Sequence, residues 1–109
     1  MSHPRRGEVH WVVLDPTIGS EINKRRPAVV LSLNVFNERR NTVIVIPLSS
    51  KGTSRPPLVV SVSSAGEESN ARIDQIRTVD KSRLQGQLGK LSAEDLKAVE
   101  ESLRVVVGS

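Results

Sequence analysis

TVIVIPL, residues Thr42 to Leu48, is the most apolar run in the chain and decides its architecture. Its β-branched residues follow one another without the spacing of a helix face, so Val43–Ile46 reads as a central strand. Pro47 has no N–H to donate and marks where ladder pairing breaks. Working outward, PAVVLS (Pro27–Ser32) is a second strand, with Pro27 tolerated at its first position. GEVHWVVLD (Gly7–Asp15) is another, mostly covered on both faces. Residues 16–26 between them form a loop hinged at Gly19. Phe36–Asn41 suits a turn or short helical loop, and Leu58–Val62 a further strand. Residues 51–57 and 63–70 are polar loops.

ARIDQIRTV (Ala71–Val79) alternates, which predicts one strand with Arg72, Asp74 and Ile76 on one face and Ile73, Gln75 and Arg77 on the other. Asp80–Leu84 suits one helical turn, and Gln85–Leu91 a short extended piece. Ser92 then starts the clear helix. It is the N-cap, Asp95 completes a capping box in place of Glu, and Leu91 and Leu96 form a hydrophobic staple. Leu96, Val99, Leu103 and Val106 make the apolar stripe, and Gly108 ends it. Five or six short strands closed by one amphipathic helix predict a mainly β fold. The expected form is a small antiparallel sheet or barrel, one domain over residues 1–109.

Composition narrows the function. The chain has no cysteine and two histidines, His3 and His10, so disulfides and thiolate or His-rich metal sites are excluded. No apolar run approaches a membrane span and no signal-peptide core is visible, so a cytoplasmic protein without membrane contact is expected. Residues 1–91 hold 14 basic against 8 acidic residues, a charge of +6, while residues 92–109 carry 2 against 4, or −2. A basic body suits a polyanionic partner, although many small proteins have a solvated basic surface. Trp11 and Phe36 are the only aromatics, so any RNA is handled mainly by cations and hydrogen bonds, not by a platform of stacked rings.

Lys24, Arg25 and Arg26 at the mouth of the Pro27 strand could hold a phosphodiester. Arg26 is the first choice, because its backbone is fixed by the adjoining proline and its planar fork matches two phosphate oxygens. A solvated loop arginine is the alternative, and residue chemistry alone favours it. Ser49 ends the apolar strand with a hydroxyl that can orient phosphate; an ordinary turn serine is the alternative. Arg72 and Asp74, two apart on one strand face, can act on one ligand or form an ion pair. Glu21 could orient Arg26 or accept a proton, or be a solvated loop carboxylate. His10 reads as a partly buried strand residue.

The wording around these residues resembles the MazF/PemK/Kid family of bacterial toxin endoribonucleases. The matching pieces are Arg6-Gly7-Glu8-Val9, Leu14-Asp15-Pro16-Thr17 with Gly19-Ser20-Glu21, Arg26-Pro27-Ala28-Val29-Val30-Leu31-Ser32, and Asp74-Gln75-Ile76-Arg77-Thr78. The resemblance runs from Arg6 to the C-terminal helix. It implies an SH3-like antiparallel barrel with a C-terminal helix, a homodimer with a groove across its two-fold axis, and an acidic antitoxin lying in that groove. It also implies sequence-selective, metal-independent cleavage of single-stranded RNA to 2′,3′-cyclic phosphate and 5′-hydroxyl ends, with no cofactor. Catalytic roles carry over to Arg26, Ser49, Arg72 and Asp74, with Glu21 added from the chain itself. Ser20, Lys24, Arg25, Lys51, Arg55, Gln75 and Arg77 are the expected RNA contacts. Ser20 sides with the chromosomal branch, where plasmid-encoded relatives have His, and Ile22 stands where Gln is common. Two rivals remain: a non-catalytic toxin of the same fold that inhibits DNA gyrase, and a catalytically silent RNA-binding barrel.

Overall fold

Val43, Val45 and Ile46 are almost wholly buried, and the strand that carries them is the hub of the sheet. The computed structural model describes residues 3–14, 25–50, 52–66 and 68–109. In chain order these form β1 (Glu8–Val13), β2 (Arg25–Val30), α1 (Asn34–Arg39), β3 (Thr42–Ser49) and β4 (Val59–Ser61). There follow β5 (Asn70–Arg72), β6 (Arg77–Asp80), β7 (Leu84–Lys90) and α2 (Ala93–Val107), with single 3₁₀ turns at Ser63–Ala65, Ile73–Gln75 and Lys81–Arg83. The strands make one antiparallel sheet in the order β4-β5-β3-β2-β1-β7, and β6 pairs with β3 as well. A mainly β sheet with a C-terminal helix is thus observed.

Alternation along the strands divides the core in two. Val29, Ile46, Leu48, Ala71 and Ile73 face the helix and pack with Val99 of α2. Val12, Ala28, Val30, Val43, Val45 and Val79 build a second cluster on the opposite face.

Pro27 in β2 and Pro47 in β3 sit where a ladder stops. Leu31 N–H bonds Ile44 O at 2.8 Å, so alternate β2 residues point their amides at β3. The donor-less nitrogen of Pro27 is one of them, and β2–β3 pairing ends one residue away, at Ala28↔Pro47. Pro47 turns its own nitrogen the other way, towards the gap between β5 and β6.

That gap corrects the expectation of one strand over Ala71–Val79. Leu48 faces Ala71, whereas Val45 faces Arg77, so three residues of β3 match six on the edge and the register slips by three. An odd slip reverses the faces. Ala71 and Ile73 therefore enter the helix-side core, while Val79 enters the other one. An unbroken strand would have driven Gln75 and Arg77 beneath α2; the 3₁₀ turn brings both to the surface. The second correction concerns β2, which starts at Arg25, not Pro27, because Arg25 and Arg26 pair with Val13 and Val12. In β1 the described strand stops at Val13.

Helix α2 begins at Ser92, whose side chain accepts from Asp95 N–H, and ends at Gly108 in the left-handed region, φ 78°. Asp95 does not close the expected reciprocal box. Its carboxylate accepts instead from the backbone N–H (2.9 Å) and hydroxyl of Ser64, and Ser92 N–H donates to the Ser64 hydroxyl at 3.0 Å. Gly7 is required as glycine, with φ 91° and a position where a Cβ would lie 3.3 Å from Leu96.

Glu8, next in sequence, accepts from Arg5 N–H and contacts His10 Nε2, each at 2.9 Å. Burial works to raise its pKa, but the Arg5 N–H, the His10 contact and the Arg5 charge together hold it below the usual carboxylate value. With the folded pKa depressed, its stabilisation is complete above the unfolded value of about 4.3 and is lost as pH falls through the folded one. Glu8→Gln should melt below wild type at pH 7, and the two should converge once pH falls below the depressed folded value. Melting curves across that range check it; a constant gap would contradict the linkage.

Candidate active site

Past Ala28↔Pro47 the strands β2 and β3 part, and a cleft of about 410 Å³ opens on the face away from α2. Arg26, Pro47, Leu48, Ser49, Arg72 and Gln75 line it. The β2–β3 register, carried two residues beyond its last pair, sets Arg26 across from Ser49. Ser49 pairs with Asn70, and Arg72 stands at the end of β5 opposite Val59. By alternation Arg26, Pro47, Ser49 and Arg72 share one face. A second cleft of about 280 Å³ continues this surface through Leu14, Arg26, Pro47, Gln75 and Arg77. Three guanidiniums, one hydroxyl and one carboxamide thus converge around a floor made by Pro47.

The electrostatic consequence is direct. Arg26 and Arg77 are exposed, and no carboxylate among the described residues forms an ion pair with either. Planar guanidinium forks held at the ends of paired strands suit a phosphate with charge on several oxygens. The loop after β3 bears on the same place. Asn70 Nδ2 donates to Gly52 O at 3.4 Å, and a Cβ at Gly52 would meet Arg72 Nη2 at 3.4 Å, with φ 89° strained for any other residue.

The expected site residues are distributed unevenly. Arg26, Ser49, Arg72 and Gln75 come together in one cleft, and Arg77 joins through the next. Arg72 and Asp74 do not share a strand face as alternation had predicted, since Asp74 lies in the 3₁₀ turn with an exposed side chain and lines neither cleft. Arg55 pairs with Val59 through a tight bridge, outside the clefts. Glu21, Ser20, Lys24 and Lys51 lie outside the described residues. Arg25 lines a third cleft with Trp11, its Cζ 4.6 Å from the ring centroid. Composition alone gave Trp11 no role; only the β1–β2 register, with Trp11 opposite Pro27 and Val13 opposite Arg25, brings the two side chains together. No group of three or more His, Asp or Glu among the described residues is placed to hold a metal ion, and no helix among them is long and apolar enough to cross a membrane.

Comparison with known proteins gives a consistent result. The family model described as PemK-like, MazF-like toxin of type II toxin-antitoxin system matches residues 5–107. The chain is 34% identical to Endoribonuclease MazF9 of Mycobacterium tuberculosis over 110 residues, covering 93% of each. It is 30% identical to Endoribonuclease toxin MazF of Escherichia coli K12 over 106 residues, covering 96% of this chain and 95% of that one. Among solved structures, MazF from Deinococcus radiodurans superposes with TM-score 0.83 at 28% identity over the whole of both chains. A MazE-MazF structure from the same organism gives 0.82 at 27%, covering 98% of each.

Proposed function

We infer the reaction from one premise: this chain belongs to the PemK-like, MazF-like toxins of type II toxin–antitoxin systems. It is an endoribonuclease toxin neutralised by an antitoxin. We propose that its single domain cleaves single-stranded RNA, sequence-selectively and without a metal ion. The products would carry 2′,3′-cyclic phosphate and 5′-hydroxyl ends. The observation that supports this most is the convergence of Arg26, Ser49 and Arg72 in one cleft.

RNA carries its own nucleophile. The 2′-oxygen attacks the adjacent phosphorus, a base takes the 2′ proton, and the P–O5′ bond breaks as the 5′-oxygen receives a proton. The phosphorane between these events has extra negative charge on its non-bridging oxygens. Arg26 and Arg72 would stabilise that charge, and the Ser49 hydroxyl would bond one oxygen. Gln75 and Arg77, with Arg25 and Lys24 before them, would hold the strand on either side, and Ser20, Lys51 and Arg55 are further candidate contacts. Arginine is a permanent cation with no lone pair to offer and cannot be the base. Glu21 and Asp74 are therefore the candidates for the proton, with Asp74 coming from the turn that also supplies Gln75.

Partners follow from charge and exposed surface. An acidic segment of the antitoxin would lie over the guanidiniums and exclude RNA. Leu33, Val35 and Phe36 around α1, with Ile44 on β3, are exposed apolar side chains that would be covered in a homodimer.

Purified protein, mixed RNA and excess EDTA test the reading. Fragments should accumulate, and their 5′ ends should map to a short common sequence and require phosphorylation before ligation. In the same assay, the variant among Glu21→Gln and Asp74→Asn that abolishes the acidic limb of the pH–rate profile names the base. Cleavage that stops with EDTA, or that leaves 5′-phosphates, would contradict the mechanism. Intact RNA with arrested DNA gyrase would favour the gyrase-inhibiting rival, and retained but uncut RNA the silent RNA-binding one.

A further inference from the structure

We propose that the Trp11–Arg25 pair is a subsite for one base of the RNA, the base flanking the scissile phosphate. The proposal rests on the ribonuclease reading above. Trp11, Arg25 and Pro27 alternate onto the face opposite Arg26, and a cleft of about 290 Å³ opens beside them where β2 and β3 part. That cleft shares Arg26, Leu48 and Ser49 with the arginine-lined one. A nucleotide whose phosphate lies at Arg26 can therefore turn its base through the parting between the strands.

The chemistry of the walls suits a base. Trp11 is half-buried, and the Arg25 guanidinium lies over its ring at 4.6 Å, so an aromatic face and a planar cation are already stacked. Nucleobases stack on both kinds of surface. The hydroxyls of Ser49, Ser50 and Ser69 rim the same cleft and can donate to or accept from a base edge. Its volume is near the lower limit for small-ligand sites, about 300 Å³, which suits one base with its ribose and not a run of stacked bases. Recognition mainly by cations and hydrogen bonds, the expectation from composition, is thereby joined by one aromatic contact.

Trp11 is the sole tryptophan, and the chain has no tyrosine, so intrinsic emission reports on this cleft alone. The probe is an RNA oligonucleotide spanning the mapped cleavage site, with a 2′-deoxyribose supplying no nucleophile at the scissile linkage. A matched set carries one abasic position each. Saturation with the full oligonucleotide should quench Trp11 emission. One abasic position next to the scissile phosphate should remove the quench and weaken binding on the order of 10- to 100-fold. Trp11→Leu should weaken the full oligonucleotide by a similar factor, add nothing to the abasic one, and be rescued largely by Trp11→Phe. Unchanged emission at saturation, which needs no substituted protein to measure, overturns the subsite. So do Trp11→Leu and abasic penalties that simply multiply. Absence of any cut site on wild-type digestion fails earlier, and it sinks the ribonuclease reading along with the subsite.

Discussion

Arg26→Ala should lower RNA cleavage by about 10²- to 10³-fold at saturating substrate, the range for removing one preorganised donor from a developing oxyanion. The effect should fall on kcat more than on KM, because the second negative charge exists only in the transition state. Stability should hardly move. Arg26 is exposed at the start of β2, its side chain enters neither core cluster, and its backbone pairing with Val12 is kept by alanine. A melting midpoint equivalent to wild type within about 0.5 kcal/mol is expected. Arg26→Lys should fall between the two, since an ammonium retains the charge and loses the two-pronged geometry. Single-turnover cleavage of a short RNA, measured beside thermal melts, checks both halves. An alanine variant that cuts within a few-fold of wild type would remove Arg26 from the reaction.

Ile73→Ala should produce the largest loss of stability, about 3–4 kcal/mol. Ile73 is wholly buried between the sheet and α2, and its N–H donates to Leu58 O at 2.9 Å. Its side chain anchors the turn that reverses the edge between β5 and β6. Truncation would leave a cavity in a rigid setting, because β5, β3 and the helix pack around it and none is free to collapse alone. A domain of this size would lose on the order of 10–20 °C in melting temperature. Activity should also fall at temperatures where the variant stays folded, since Arg72 and Gln75 flank the anchored residue. Ile73→Val, which removes one methylene, should cost about 1 kcal/mol and keep activity. Denaturant titrations of the three proteins decide it, and a loss below about 1 kcal/mol for alanine would show that the turn holds without its anchor.

How far the sequence carries depends on whether a signal is local. Thr42–Leu48 was legible because its β-branched run and its proline speak for the strand and its interruption without outside information. The helix was legible for the same reason, from Ser92 to Gly108. Two misreadings share a cause. Arg25 and Arg26 look like loop, yet they pair with β1, because exposed polar residues at a strand end carry no burial pattern. Ala71–Val79 alternates well enough for one strand, and only the two cores show that the odd residues must change faces halfway. Asp95 likewise had a plausible local role, until Ser64, distant in sequence, supplied a better donor.

The candidate site was legible in its parts and not in its assembly. Arg26, Ser49, Arg72 and Gln75 were each singled out, but their convergence requires the register of β2 against β3 and of β3 against β5. Asp74 was grouped with Arg72 by a period of two that the turn cancels. The Trp11–Arg25 pair depends on cross-strand neighbours that no linear spacing encodes.

Strand β7 ends the sheet, and its pairing with β1 is broken by register shifts between Val9 and His10 and between His10 and Val12. With Gly86 at φ 139° and Lys90 at its end, this rim is irregular and exposed, and Leu88 is its one exposed large apolar side chain. Register shifts of this kind twist a strand and make its edge a poorer template for another polypeptide to pair with. The same irregularity that weakens the last ladder therefore guards against fibril-like stacking, and it favours molecules that stay dispersed when crowded.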